Sequence, residues 1–170
     1  MDSIIRPETP EDYAAIYALT EAAFAEMEHA DGDEQDVAPL LRKKEGFRPE
    51  LSLVAECDGQ IVGHILFTEI TIGGDAALCL GPIAVLPELQ GQGIGAALME
   101  KGHEAARALG FSACVLAGHE TYYPRFGYVT AGEYGIVLPI DAPETCKMVK
   151  FLQEDGKQLR GTASIPPELI

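Results

Sequence analysis

The chain has 170 residues, 47% hydrophobic and 23% charged, usage that fits one ordinary globular domain over residues 1–170 and excludes disordered, collagen-like and coiled-coil chains. Twelve Lys and Arg against 27 Asp and Glu give a formal charge of −15, which opposes broad phosphate contact with DNA or RNA and docking on anionic membranes, so neither is an expected partner. No uncharged apolar run approaches the ~20 residues that span a bilayer, and Met1-Asp2-Ser3 leads into Ile4-Ile5-Arg6 without a basic and then apolar leader pattern; the expected location is cytoplasmic.

Cys57, Cys79, Cys114 and Cys146 form no C-x-x-C pair and are expected as buried reduced thiols. His29, His64, His103 and His119 lie far apart without ligand spacing, so no metal site is expected.

A short strand is expected at residues 3–6. Thr9-Pro10-Glu11-Asp12 then supplies a capping hydroxyl, a proline suited to the first helical position and acids near the positive helix end. The helix that follows shows an apolar stripe of Tyr13, Ile16, Tyr17, Thr20 and Phe24. An acidic loop with Glu26, Glu28, Asp31, Asp33, Glu34 and Asp36 comes next, then a short helix over 37–44. Strands at 51–57, 60–71 and 76–85, joined by Asp58-Gly59 and Gly73-Gly74-Asp75, read as an antiparallel meander.

From Gly93 the period changes to helix, with Ile94, Ala97, Leu98, Gly102, Ala105 and Leu109 on one face, His103 expected on an exposed face, and Gly110 as the stop. A buried strand over 111–117, a helical turn over 122–126 and a strand from Tyr128 complete the readable order. Beyond Pro139 the pattern weakens: residues 140–170 form a C-terminal extension, with 148–152 able to make a last strand and 156–170 a capping tail.

The stretch Ile83-Ala84-Val85-Leu86-Pro87-Glu88-Leu89-Gln90-Gly91-Gln92-Gly93-Ile94-Gly95-Ala96 joins a strand to a helix through three alternating glycines. Without Cβ atoms such a loop approaches a ligand closely, and the unpaired amides of the next helix favour an anion. A plain strand-to-helix turn would use the same glycines. A Walker A loop is excluded, because Gly95-Ala96-Ala97 lacks the lysine and the hydroxyl. Gly91-x-Gly93-x-x-Ala96 fits a loose dinucleotide fingerprint with Glu120 near the ribose-binding position, yet five residues including Pro87 separate the strand from the first glycine, and a meander precedes it.

Gln90-Gly91-Gln92-Gly93-Ile94-Gly95, preceded by Ile83-Ala84-Val85-Leu86-Pro87 and followed by Tyr123-Pro124-Arg125-Phe126-Gly127-Tyr128, resembles the GNAT superfamily of acetyl-coenzyme A dependent acyltransferases over roughly residues 4–134. The resemblance implies an α/β (α+β) fold, a mixed and mostly antiparallel central sheet flanked by helices and splayed between the strands that end near Val85 and Ala117. It implies that acetyl-CoA (coenzyme A) is the cosubstrate, its pyrophosphate held by Gln90, Gly91, Gln92, Gly93, Ile94, Gly95 and Ala96 and its pantetheine by the strand edge at Ile83, Ala84 and Val85. An amine acceptor is the implied partner, and a homodimer is compatible with the reading.

Tyr123 matches the family tyrosine and is the candidate general acid, with Tyr122 expected to face elsewhere. Two departures stand out: Gly118-His119-Glu120 lies where an asparagine is frequent, and residues 76–81 carry no carboxylate. Glu69, on the neighbouring strand, is the candidate base, with His119, Glu120 and a water relay as alternatives. Arg125 is read as meeting either the cofactor phosphates or a surface acid. A non-catalytic acyl-CoA sensor is the alternative function.

Overall fold

The computed structural model describes residues 3–25, 27 and 30–170. The chain runs β1 (Ile4–Pro7), α1 (Tyr13–Phe24), α2 (Val37–Leu41), β2 (Phe47–Cys57), β3 (Gln60–Ile72), β4 (Asp75–Val85), α3 (Ile94–Ala108), β5 (Ala113–Ala117), β6 (Val129–Thr130), β7 (Ile136–Val137), β8 (Lys147–Phe151) and β9 (Gly161–Thr162), with 3₁₀ turns between several of them. Seven strands form one sheet in the order β1-β2-β3-β4-β5-β8-β6, and β7 pairs with β9. Only the β4–β5 pair is parallel in the large sheet; the expected meander is there as β2, β3 and β4. A doubly wound sheet would need parallel strands throughout, so this topology excludes the dinucleotide reading. No helix among the described residues is long and apolar enough to cross a membrane.

Strand alternation divides the core into two faces. Leu78 and Leu80 of β4 and Cys114 and Leu116 of β5 point toward α3, where they meet Leu98 and Met99. Ala77, Cys79, Ala113 and Val115 point the other way, onto the 130s segment and the C-terminal tail through Ile136, Leu138, Ala163 and Ile165. On that second face α1 covers Ala84 with Leu19 and Ala23, and α2 covers Leu66 with Ala38 and Leu41.

The descent of α3 onto the sheet depends on two glycines. A Cβ on Gly102 would lie 2.3 Å from the fully buried Phe67 ring, and one on Gly63 would lie 2.9 Å from Leu98 and 3.0 Å from Ile94. The helix ends in a Schellman arrangement, with Gly110 N–H donating to Arg107 O (3.0 Å) and Phe111 N–H to Ala106 O (3.1 Å).

Three expectations need correction. The buried stripe of α1 is Ile16, Leu19, Thr20 and Ala23. Tyr13 and Tyr17 flank it, half exposed, because the Pro10–Asp12 turn precedes the α-helix and the tyrosines find polar partners outside: Arg42 lies 3.8 Å over the Tyr13 ring, and Tyr17 donates to Asp36 at 2.9 Å. His103 is buried, with Nε2 2.8 Å from the Tyr128 hydroxyl, in an arc of α3 that also holds Met99, Gly102 and Ala106. The strand after Tyr128 is the two-residue β6 at the sheet edge, because β8 inserts between it and β5.

A buried polar cluster ties α2 to the sheet. Glu8 accepts from Arg42 Nε at 2.7 Å and from Ser52 Oγ, and His64 Nε2 lies 3.1 Å from the same carboxylate and 2.9 Å from Ser52 Oγ. Burial alone would raise the Glu8 carboxyl, but hydrogen bonds from His64, Arg42 and Ser52 overcome it and hold the group at about 2. Burial depresses His64, and it depresses His103 to about 3 with help from the Lys150 and Arg107 charges.

Two outcomes follow from this packing. Gly102→Ala should lower stability by about 1–3 kcal/mol, and the Gly102→Ala, Phe67→Leu double variant should lose less than the sum of the singles in urea titrations. The folded state binds protons more weakly than the unfolded chain at Glu8, His64 and His103. Stability is therefore full above about pH 7, falls as pH drops below ~6.5 through the histidine range, and falls again from ~4.5 toward 2. Glu8→Gln should cost roughly 3 kcal/mol at pH 7 and flatten the second fall; an unchanged slope in denaturant midpoints below pH 4.5 would contradict the cluster's role.

Candidate active site

The β4–β5 ladder holds only two register pairs, Leu78↔Cys114 and Cys79↔Val115. Beyond Cys79 the strands part: β4 runs on beside β3, with Ile83 opposite Ile65 and Val85 opposite Gly63, while β5 gives its other edge to β8. The edge of Ile83, Ala84 and Val85 that faces β5 therefore carries main-chain groups outside any ladder among the described residues. This is the splay expected between the ends of these two strands.

At the end of β4, Leu86 N–H still bonds Val62 O (2.9 Å), and a 3₁₀ turn at Pro87–Leu89 reverses the chain. Gln90 folds back, its Nε2 donating to Val85 O at 3.1 Å, which pins the loop to the strand it left. Gly91 (φ 79°) and Gly93 (φ 89°) are left-handed, and a Cβ on either would touch nothing, so the demand for glycine there is conformational. Among the described residues the amides of residues 91–96 have no hydrogen-bond partner, and the first helical bond of α3 is Ala97 N–H to Gly93 O at 3.0 Å. Unpaired amides and the positive helix end converge on one spot, a ready anion site.

A cleft of about 430 Å³ joins these parts. One wall is Ile83, Ala84 and Val85, another is Gln90, Gly91, Gly93, Gly95 and Ala96, and the rest comes from Ala23 and Met27 at the end of α1 and from Tyr122, Arg125 and Phe126. Of the expected loop residues, Gln92 is exposed outside the lining and Ile94 turns its side chain into the core, 4% exposed, leaving only its amide toward the loop.

Tyr122, expected to face elsewhere, lines the cleft, with its hydroxyl 3.1 Å from where a Gly95 Cβ would stand. Tyr123 sits behind it. Its ring lies on Gly118, where a Cβ would come within 2.5 Å, and meets the Tyr122 and Tyr128 rings edge-on at 5.0 and 6.0 Å. Gly118, in the stretch that lacks the asparagine, thus makes room for the tyrosine. Burial, with a smaller push from Tyr122, raises the Tyr123 phenol to about 12. Its hydroxyl makes no hydrogen bond among the described residues.

Glu69 is not brought to the cleft. It lies opposite Leu78 and is clamped by Arg48 in a separate shallow groove with Glu45, Gly46 and Ser164. His119 and Glu120 are outside the lining as well. In the acidic loop, Glu34 accepts from the Asp31 and Gly32 amides and Asp36 from Tyr17; Glu26, Glu28 and His29 lie outside the described residues. The four cysteines are free, three of them buried and Cys146 half-buried.

A family model described as an acetyltransferase (GNAT) domain matches residues 48–130. The uncharacterized N-acetyltransferase YjhQ of Escherichia coli K12 is 41% identical over 136 residues, 75% of each chain. YhbS of the same strain, also named an uncharacterized N-acetyltransferase, is 30% identical over 156 residues, 90% of this chain and 89% of its own. A crystal structure of Escherichia coli YhbS in complex with CoA superposes with a TM-score of 0.88 at 26% identity, over 98% of this chain and 91% of that one. A GNAT family acetyltransferase from Brucella melitensis in complex with acetyl-CoA gives 0.81 at 34% identity over 99% of both chains.

Proposed function

The chain belongs to the GNAT acetyltransferase family, and on that footing we propose that it transfers an acetyl group from acetyl-CoA to a primary amine of a small molecule or protein, by direct attack of the neutral amine on the thioester. The observation that carries this reading is the continuity of the cleft, which leads from the unpaired amides of residues 91–96 to the free edge of Ile83, Ala84 and Val85. The amides take the diphosphate, the strand edge pairs with the pantetheine amides like an added strand, and the thioester comes to the gap between β4 and β5. A main-chain N–H near Val85 faces the carbonyl oxygen as negative charge develops on it.

Tyr123 stands behind Tyr122, outside the cleft lining. We assign it as the proton donor to the departing thiolate because it matches the family tyrosine and its hydroxyl has no hydrogen-bond partner among the described residues. A phenol at about 12 stays protonated at any working pH and so holds a proton to give. Among the described residues the cleft lining holds no carboxylate, and Glu69 is occupied by Arg48, so the proposed route for the amine proton is through water.

The lack of a carboxylate among the described lining residues also favours the second reading, an acyl-CoA sensor that binds without turnover. Thiol release from acetyl-CoA over a panel of amines separates the two, since a sensor binds CoA and releases none. For the enzyme, Tyr123→Phe should lower kcat by about 10²-fold or more while leaving CoA affinity within about twofold. Gly93→Val should weaken CoA binding by at least about tenfold, and unchanged affinity would remove the loop from the site. With water as the proton acceptor, kcat/KM should rise with pH along a limb that follows each amine's own pKa. A limb fixed at one pH for all amines would reveal a protein base instead.

A further inference from the structure

Beside the cleft, α3, the Tyr123–Phe126 turn and β8 enclose a second groove of about 260 Å³, which shares Arg125 and Phe126 with the first. Glu100, His103 and Arg107 of α3 and Lys150 of β8 complete its walls. Three basic side chains thus meet in a chain with 12 of them against 27 acids, and none of the three is in an ion pair among the described residues.

Main-chain carbonyls hold each cation in place. Arg107 Nε donates to Leu152 O at 3.0 Å, Lys150 Nζ to Phe126 O at 2.5 Å and Arg125 Nε to Tyr122 O at 3.0 Å, with the Arg125 guanidinium 4.7 Å over the Tyr122 ring. Each bond uses one donor and orients the group, and the remaining N–H donors of all three have no acceptor among the described residues. His103, buried beneath them, is kept neutral by burial and by the charges of Lys150 and Arg107, so the groove floor adds no charge of its own. Glu100 is the one carboxylate in the lining among the described residues.

We propose that this groove receives the 3′-phosphate of the cosubstrate, with the Arg125 fork reaching it from the cleft and Lys150 and Arg107 supplying positive field behind. The inference rests on the acetyl-CoA reading. In CoA the diphosphate and the 3′-phosphate are separated by one ribose, and here the glycine loop and the groove are separated by the Arg125 side chain, which borders both cavities. A phosphate monoester carries close to two charges and three acceptor oxygens, the partner suited to an oriented guanidinium beside an ammonium.

Calorimetric titration with CoA and with dephospho-CoA, which lacks only that phosphate, tests the assignment. The native protein should prefer CoA by about tenfold or more, and Arg125→Gln should cut the preference below about threefold while changing dephospho-CoA affinity little. Lys150→Gln should narrow the preference in the same sense. The ratio is read within each variant, so partial loss of folded protein cancels. Equal native affinity for both nucleotides would overturn the proposal, as would an Arg125→Gln loss equal for both, which places Arg125 on the diphosphate. Binding of neither nucleotide would overturn the acetyl-CoA reading itself.

Discussion

The short ladder between β4 and β5 is the constraint on which the rest of the structure depends. Two register pairs join the strands, after which β4 continues alone on that side to Val85. Main-chain groups inside a sheet are costly to leave unpaired, so an interior strand edge without a neighbour is a standing demand for an amide-bearing partner. The chain keeps the edge free by filling the other side of β5 with β8, drawn from the far end of the sequence. The gap thus opens where β4 leaves β5 after Cys79 and continues beside β3 alone.

The proposed anion site depends on how close α3 comes to the sheet. Gly63, opposite Val85, lets Ile94 and Leu98 rest on β3, and Gly102 admits the Phe67 ring two turns later. Burying Leu98 and Met99 contributes roughly 1.5–3 kcal/mol each, and this packing fixes the N-terminus of the helix beside the end of β4. The glycine loop then has little freedom left, since Gln90 ties it back to Val85. A chain of charge −15 attracts no anion by its net field; in the proposed assignment, oriented amides and the three cations of the neighbouring groove supply the attraction locally.

Local patterns were legible in the sequence, and long-range pairings were not. The meander could be read because turn residues and strand alternation lie within a few positions of each other, and the start of α3 because Gly93 must be left-handed where the period changes. His103 was misplaced because its partner, the Tyr128 hydroxyl, is 25 positions away and no local spacing announces it. The insertion of β8 between β5 and β6 is invisible for the same reason, since five residues of ordinary strand composition carry no address.

At the cleft, glycine spacing pointed to a loop of which Gln90, Gly91, Gly93, Gly95 and Ala96 line the wall and Gln92 and Ile94 do not, whereas the placement of Tyr122 and Tyr123 was not legible. Adjacent side chains on a 3₁₀ turn diverge, and only the closeness of Gly118 to one ring and of Gly95 to the other shows which lies behind and which lines the cleft. Glu69 was drawn in by its strand position, but its pairing with Arg48 depends on the β2–β3 register and could not be read from either residue alone.

The proposed reaction depends on where the diphosphate rests, and a crystal structure of the chain with CoA measures that directly. Diphosphate oxygens within hydrogen-bond distance of the amides of residues 91–96, with the thiol in the gap between β4 and β5 beside Tyr123, are the predicted result. A bound CoA that leaves this loop untouched, or whose pantetheine avoids the free edge of β4, would contradict it.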